Sequence, residues 1–152
     1  MPTPTPRDTV LAHAGLDYLR AMLADEVPPA PMAVSLGFRL HAAEHGMAAF
    51  RGAPSSDFAN PAGALHGGWY GAILDSALGC AAMTTLPRGR TYTTLEYKVN
   101  LTRAVPFGTV VVARATVYHA GRRTIVASAT LRGVADGKLY ATGSTTCIVL
   151  ET

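Results

Sequence analysis

The sequence predicts an α+β fold in which one antiparallel sheet wraps around a single long helix. Three observations support this fold class: an apolar segment at residues 64–85, four strand-like runs after it, and a strand–turn–strand pattern before it. Strands that are grouped rather than alternating with helices favour an antiparallel sheet. A helix that is apolar on almost every face must be covered on all sides, and a curved sheet provides that cover.

The segments before the apolar stretch begin with a Pro- and Thr-rich run at residues 1–8, which we expect to be disordered or draped over the surface. Residues 9–24 place apolar side chains at helical spacing and predict an amphipathic helix. The run VPPAP at 27–31 ends that helix. A strand, a tight turn near His45 and Gly46, and a second strand are predicted next.

The apolar segment itself predicts a helix from about Ala64 to Thr85, closed by Pro87. Strands are predicted at 91–103, 108–119, 123–134 and 139–150, with Asp136-Gly137 as a hairpin turn between the last two. No linker divides the chain, so residues 9–152 are expected to form one domain. This arrangement, a sheet wrapped around one central helix, is the architecture known as the hotdog fold.

Strict alternation along the first of these four strands predicts two faces. One face carries Tyr92, Thr94, Glu96, Lys98 and Asn100. The other carries Thr93, Leu95, Tyr97, Val99 and Leu101.

Composition excludes several classes of protein. The net charge is only +3, from 13 Lys+Arg and 10 Asp+Glu, without a dense basic run, which argues against a nucleic-acid partner. Hydrophobic residues make up 49% and charged residues 15%, which suggests surface hidden in a homo-oligomer. Asp75 within the apolar segment argues against a membrane span. We expect a cytoplasmic protein, because no signal peptide is recognised and Cys80 and Cys147 resemble small buried apolar residues.

The apolar helix carries two features of chemical interest. Gly67 and Gly68 lie in its predicted first turn, where free N–H groups and the helix dipole can stabilise an oxyanion. The alternative is that these glycines only permit tight packing. Asp75 is a lone carboxylate in an apolar segment, which suggests a general base or nucleophile, although an acid that caps a neighbouring loop is also possible.

The spacing of these features predicts a shared site. Asp75 is eight residues beyond Gly67, which separates them by about 12 Å along one helix. A carboxylate and an oxyanion donor must both reach one carbon, within about 3.5 Å. We therefore expect Asp75 of one subunit to act with Gly67 of another in an obligate dimer with antiparallel central helices.

Three stretches carry a family resemblance. NPAGALHGGWYGAILDSALGCA, GRTYTTLEYKVNLTRAV and HAGRRT closely resemble the hotdog-fold acyl-CoA thioesterases of the PaaI-like, phenylacetate-degradation type. The resemblance extends over nearly the whole chain from about residue 15. Its specific part is Asn-Pro-x-Gly-x-x-His-Gly-Gly followed by the downstream acid.

The resemblance implies roles residue by residue. Asp75 acts on the thioester carbonyl as base or nucleophile, Asn60 holds the water or thioester, and the Gly67 N–H polarises the thioester oxygen, with Gly68 beside it. His66 corresponds to an orienting residue. Thr93 falls where relatives carry a hydroxyl that contacts the water or carboxylate, and Thr94 is the alternative if the strand register differs. Gly79 departs from relatives that carry a hydroxyl at that position.

The predicted activity is hydrolysis of an acyl-CoA, aromatic or medium-chain, without a metal or other cofactor. Trp69 would line the acyl pocket, and Arg103, Arg122 and Arg123 would bind the CoA phosphates, although solvated surface arginines are the simpler interpretation. A dimer of dimers is expected from the resemblance. The alternatives are a non-catalytic acyl-CoA sensor, which needs no positioned acid, and a hydratase, which needs an Asp/His pair for proton transfer.

Overall fold

The computed structural model describes residues 3–151 and contains a six-stranded sheet around a central helix. The helices are α1 (Arg7–Leu11), α2 (Gly15–Leu23), α3 (Pro31–Ser35) and α4 (Gly67–Met83), with a 3-10 turn at Ser56–Phe58. The strands are β1 (Phe38–Glu44), β2 (Met47–Gly52), β3 (Arg90–Leu101), β4 (Val111–Ala120), β5 (Thr124–Gly133) and β6 (Leu139–Glu151).

The strands form one antiparallel sheet in the order β1-β2-β4-β5-β6-β3, so β3 lies at one edge. Every strand contacts α4, because the sheet curves around that helix. Ile73, Leu74 and Leu78 of α4 are fully buried at 0% exposure. The predicted hotdog fold is therefore the observed one. Within the described residues, none of the helices combines the length and the hydropathy of a bilayer span.

One face of α4 carries almost no side chains and lies against β3. Its residues recur every four positions, and we call them the glycine face: Gly67, Gly71, Asp75 and Gly79. The β3 side chains opposite them are, in the same order, Leu101, Tyr97, Thr94 and Tyr92. Because residues four apart share a helix face, three missing side chains let β3 approach closely and leave one carboxylate between them.

A β-bulge in β3 changes which of its residues face the helix. The pairing with β6 shifts between Thr94 and Glu96, so Leu95 is an extra residue that has no partner across the ladder. Tyr97 consequently faces α4, as Tyr92 and Thr94 do. The predicted alternation is wrong beyond Thr94, because strict period-two alternation does not allow for the extra residue.

The N-terminal prediction of one helix at 9–24 is also wrong. The chain forms α1 and α2 with a break at residues 12–14. The break lets the N–H of Gly15 donate to the carbonyl of Leu86, at 2.9 Å, and lets Gly15 pack against Met83 without a Cβ in the way. Arg7 and Asp8, expected to be draped, begin α1, whereas residues 1 and 2 lie outside the described residues.

The short helix α3 follows the proline-rich run and was not predicted. Pro31 occupies its first turn, where the missing N–H has no intrahelical partner to lose. The sequence pattern treats that proline only as a helix breaker. Helix α3 matters for the site because Ala33 lines the cavity beside Asp75.

Candidate active site

Asp75 occupies the middle of α4 and is half-buried. Its Oδ1 accepts a hydrogen bond from Thr94 Oγ1 at 3.2 Å. Among residues 3–151, its second carboxylate oxygen has no hydrogen-bond partner, and no cation forms an ion pair with it. The carboxylate is therefore held on one side and available on the other.

The environment of Asp75 is suited to a base. Burial raises the pKa of its carboxyl above the ordinary value of 3.8, and the hydrogen bond from Thr94 opposes that rise. A base is most effective when its pKa approaches the working pH. Burial, and then the charge of the Asp75 carboxylate, raises the pKa of Cys80 to about 12, so that thiol stays protonated at neutral pH. Both cysteines were expected to be buried. Cys147 is fully buried, whereas Cys80 is only half-buried.

The start of α4 presents one backbone donor to solvent. His66 is the N-cap, and its Nδ1 accepts from the Gly68 N–H at 2.9 Å. The N–H of Gly67 has no acceptor among the described residues, and Gly67 is exposed. The geometry thus leaves Gly67 rather than Gly68 free for an oxyanion. The ring of His66 thereby holds the first turn of α4 in place.

Asn60 lies in the loop that leads into α4. Its Oδ1 accepts from the N–H groups of Ala62 and Ala64, at 2.9 Å and 3.1 Å, and so closes that loop. An antiparallel bridge between Ala59 and Leu65 brings the loop back towards the helix start. The side-chain oxygen is therefore occupied by a turn, whereas the side-chain amide nitrogen remains available as a donor.

The two candidate threonines of β3, Thr93 and Thr94, lie on opposite faces of the strand. Thr94 points to the helix and bonds Asp75, whereas Thr93 is exposed on the opposite face of β3. Because adjacent strand residues point to opposite sides, only one of them can reach the carboxylate. The structure brings together Asp75 and Thr94, the alternative in the prediction, and leaves Thr93 outside the site.

Two apolar cavities adjoin these groups. One, of about 380 Å³, lies at the helix start and is lined by Met32, Leu36, Phe58, His66, Gly68 and Trp69, with Asp57 and Ala59. Trp69 is itself buried at 3% exposure, and its Nε1 donates to the carbonyl of Leu36 at 2.8 Å. The other cavity, of about 220 Å³, lies beside Asp75 and includes Ser76, Cys80 and Tyr92 in its wall.

The three predicted arginines do not cluster in one chain. The carbonyl of Arg103 lies 3.4 Å from Tyr70 Oη, which places Arg103 near the first turns of α4. Arg122 and Arg123 line a hollow of about 340 Å³ with Val149. Val149 packs with the residues that end α4. The arginines therefore lie at opposite ends of the helix, and none of the three forms an ion pair within the described residues.

Sequence reasoning did not identify Tyr92 as a neighbour of Asp75. Its ring lies over the bare backbone of Gly79, where its Cε2 and Cζ atoms would each be 3.0 Å from an added Cβ. Gly79 was recognised as unusual, but nothing in the linear pattern says which strand covers it. The four-residue spacing of the glycine face is the only sequence pattern that bears on this contact. It indicates that another element packs closely against α4, but it does not say that this element is β3 or that the residue is Tyr92.

Comparison with known proteins is consistent with this geometry. A family model described as the thioesterase superfamily matches residues 62–140, which include α4, β3, β4 and β5. A search of curated proteins gives no match.

Solved structures resemble most of the chain. A conserved protein from Pseudomonas aeruginosa is 32% identical, over 80% of this chain and 94% of that one, with a TM-score of 0.74. A phenylacetic acid degradation-related protein from Ralstonia eutropha is 30% identical, over 86% and 98%, with a TM-score of 0.78. A thioesterase family protein from Silicibacter pomeroyi is 27% identical, over 91% and 99%, with a TM-score of 0.78.

The family match covers the helix with the lone acid and the strand that holds it, and the structural matches extend over 80% and 86% of the chain. The chain therefore belongs to the thioesterase superfamily, as a PaaI-like hotdog thioester hydrolase.

Proposed function

We propose that this protein hydrolyses an acyl-CoA to the free acid and CoA at a site shared between two subunits. The observation that carries the proposal is Asp75, a lone carboxylate in an apolar helix that is held by Thr94 on one oxygen and free on the other. A free N–H at Gly67 supplies the complementary oxyanion donor. Together these groups are what attack on a thioester carbonyl requires.

The reaction needs no group beyond these and water. Asp75 either takes a proton from water, which then attacks the carbonyl carbon, or attacks that carbon directly. The carbonyl oxygen gains negative charge and is stabilised by the Gly67 N–H at the positive end of the helix dipole. The carbon–sulfur bond then breaks, CoA leaves as thiolate, and the proton from water returns to the thiolate or to solvent. In the direct route, water subsequently hydrolyses the acyl anhydride at Asp75.

Distance and exposure support the proposal of a shared site. Gly67 and Asp75 are about 12 Å apart along α4, too far to act on one carbon. The helix is not covered on its whole surface by its own sheet, because Ala72, Asp75, Ser76 and Cys80 remain half-exposed. Beside them, Tyr97 and Leu101 of edge strand β3 are 47% and 52% exposed. A second copy related by a two-fold axis would cover this surface and bring its Asp75 to Gly67.

The substrate class is inferred from the surroundings of the helix start. The cavity of about 380 Å³ lined by Trp69 has the apolar walls that an acyl group needs. In an antiparallel helix pair, the start of one helix lies beside the end of the other. Arg103 of one subunit would therefore lie at the same end of the pair as Arg122 and Arg123 of the other. Guanidinium groups bind phosphate by paired hydrogen bonds, so these three are proposed to hold the CoA phosphates.

A panel of phenylacetyl-, hydroxyphenylacetyl- and medium-chain acyl-CoAs, assayed for thiol release, tests the activity. We expect the wild type to turn over at least one of them. Asp75→Asn keeps the acceptor oxygen for Thr94 but removes the base, so kcat should fall by about 10²–10⁴-fold. Retained turnover in that variant would exclude the mechanism, and binding of acyl-CoA without turnover by the wild type would favour a sensor.

Complementation tests the shared site. Gly67→Pro removes only the proposed donor, because proline is favourable at the first position of a helix and His66 before it already has extended dihedrals. Asp75→Asn and Gly67→Pro should each be inactive as homodimers. Unfolding and refolding them together in equal amounts gives heterodimers with one intact site, which should restore about a quarter of wild-type activity. Failure to recover activity, with heterodimers present, would place both groups in one subunit.

A further inference from the structure

The hydroxyl of Tyr92 is placed where a side chain at position 79 would otherwise lie. The ring of Tyr92 rests on the backbone of Gly79, and its Oη occupies the space that a Cβ there would need. Gly79 is one helical turn beyond Asp75 on the glycine face. Strand β3 thus places a hydroxyl over Gly79, about one helical turn from Asp75, where α4 has no side chain of its own.

This hydroxyl has no hydrogen-bond partner among residues 3–151. It is not one of the fully enclosed polar atoms, all of which have partners. Tyr92 lines the cavity of about 220 Å³ that also reaches Asp75 and Ser76. Polar groups in protein interiors are almost always paired, so an unpaired hydroxyl that lines a cavity indicates that something in the cavity completes it.

The wall of this cavity that carries Asp75, Ser76 and Tyr92 suits a water molecule better than an acyl chain, because its side chains are polar. A water molecule in the liquid takes up about 30 Å³, and a buried water typically has two to four polar partners. Here the free oxygen of Asp75, the hydroxyl of Tyr92 and the hydroxyl of Ser76, which already donates to the carbonyl of Ala72 at 2.8 Å, meet those needs. Apart from the thiol of Cys80, which is only a weak hydrogen-bond donor, the remaining side chains of the wall are apolar.

Tyr92 is restricted to one role in such an arrangement. Burial, and then the neighbouring Cys80, Cys147 and Asp75, raise the pKa of its phenol well above 10.0. The hydroxyl therefore stays protonated in the pH range in which enzymes are assayed. It is available as a hydrogen-bond donor and cannot compete with Asp75 as a base.

We propose that Tyr92 is a positioning residue that holds the attacking water against Asp75. The water accepts a hydrogen bond from Tyr92 Oη, gives its proton to the free oxygen of Asp75, and forms its new bond to the thioester carbon, which places negative charge on the carbonyl oxygen. The carbonyl then re-forms and the carbon–sulfur bond breaks. The proton then passes to the departing thiolate. This inference rests on the proposed acyl-CoA hydrolysis and goes further, because it assigns Asp75 the general-base role and not the nucleophilic one.

Tyr92→Phe tests the proposal, because it keeps the ring on Gly79 and removes only the hydroxyl. We expect kcat for the best acyl-CoA to fall about tenfold, as for loss of one hydrogen bond, with KM and the thermal midpoint unchanged. Tyr97→Phe is the matched control: its hydroxyl lies 3.1 Å from the Cβ position of Gly71, on the same strand and helix face, but outside this cavity. Because Tyr97 lies on the surface that the second copy would cover, the two variants are compared only after both have been found to be dimeric to the same extent. Equal losses in both variants would attribute the effect to packing and overturn the proposal.

A second readout separates positioning of water from general damage. With hydroxylamine added, the product divides between free acid, from water, and acyl hydroxamate. Tyr92→Phe should raise the ratio of hydroxamate to acid several-fold, because only the attack by water loses its holding group, while Tyr97→Phe leaves the ratio unchanged. An unchanged ratio in Tyr92→Phe refutes the role of Tyr92 but leaves the thioesterase function intact. Absence of any acyl-CoA hydrolysis by the wild type would instead remove the function on which the proposal rests.

Discussion

Thr94→Val removes the only hydrogen bond that the described residues give to the Asp75 carboxylate and preserves the shape of the side chain. Thr94 lowers the pKa of Asp75, in opposition to burial, which raises it. Without the hydroxyl, the pKa must rise further above 3.8. Because the proposed reaction needs ionised Asp75, we expect less of the enzyme to be competent at a given acidic pH.

The magnitude follows from the geometry of the contact. A hydrogen bond to a charged group contributes about 1.5–3 kcal/mol when it is short and buried. This one is long, at 3.2 Å, and its acceptor is half-exposed, so about 1 kcal/mol is the appropriate figure. That energy corresponds to a loss of about fivefold in kcat/KM on the acidic limb of the pH profile. On the alkaline plateau, where Asp75 is ionised in both proteins, the values should converge.

The assay is the pH dependence of kcat/KM for thiol release from the best acyl-CoA. Thr93→Val serves as the matched control, because Thr93 is adjacent in sequence and exposed on the other face of β3. The acidic limb should move to higher pH in Thr94→Val and stay in place in Thr93→Val. A limb that moves only in the Thr93 variant would mean that Thr93, and not Thr94, faces Asp75. A limb that moves in neither would mean that Asp75 does not control it.

Three further outcomes are expected. Ionised Asp75 opposes folding, because burial raises its pKa in the folded state, and the free energy of unfolding therefore falls as pH rises through that pKa. Calorimetry should find Asp75→Asn more stable than the wild type at pH 7. The difference should vanish below pH 3.8, where the carboxyl is protonated in the folded and the unfolded protein. Gly79→Ala forces a Cβ into the space of Tyr92 and should cost about 1–3 kcal/mol in the free energy of unfolding by denaturant, whereas an unchanged midpoint would contradict the close approach. If Arg122 and Arg123 hold CoA phosphates, KM should rise with salt, and the double alanine variant should have a higher, less salt-dependent KM with kcat unchanged.

Much of the fold is readable from local patterns. The alternating runs predict all six strands, and turns at Gly46 and Gly137 have the positive φ, +77° and +66°, that glycine accommodates. The helix around Asp75 is recognisable because its apolar residues leave no polar face for solvent. What the pattern overlooks is the bulge at Leu95, since an extra residue in a strand depends on the pairing with β6 and not on the strand's own sequence.

The site is predictable to the same degree. Asp75 and Gly67 stand out because a lone acid and a glycine pair are unusual in a buried helix, and the spacing between them is informative without a structure. Thr94 and Tyr92 are different, because their importance comes from contacts across the sheet. A shift of one residue exchanges Thr93 for Thr94 at the carboxylate, and only the three-dimensional register decides between them.

The glycine face also has a consequence for how the protein folds. Glycine within a helix costs about 1 kcal/mol in helix propensity relative to alanine, and Gly71 and Gly79 both lie inside α4. The segment should therefore be a poor helix in isolation, and β3 must dock before the helix gains the packing that compensates. The helix and the hydrogen bond from Thr94 to Asp75 should then form together. In partly folded chains, we therefore expect Asp75 to lack this hydrogen bond. A synthetic peptide of residues 64–86 with low helicity in water would agree with this order of events.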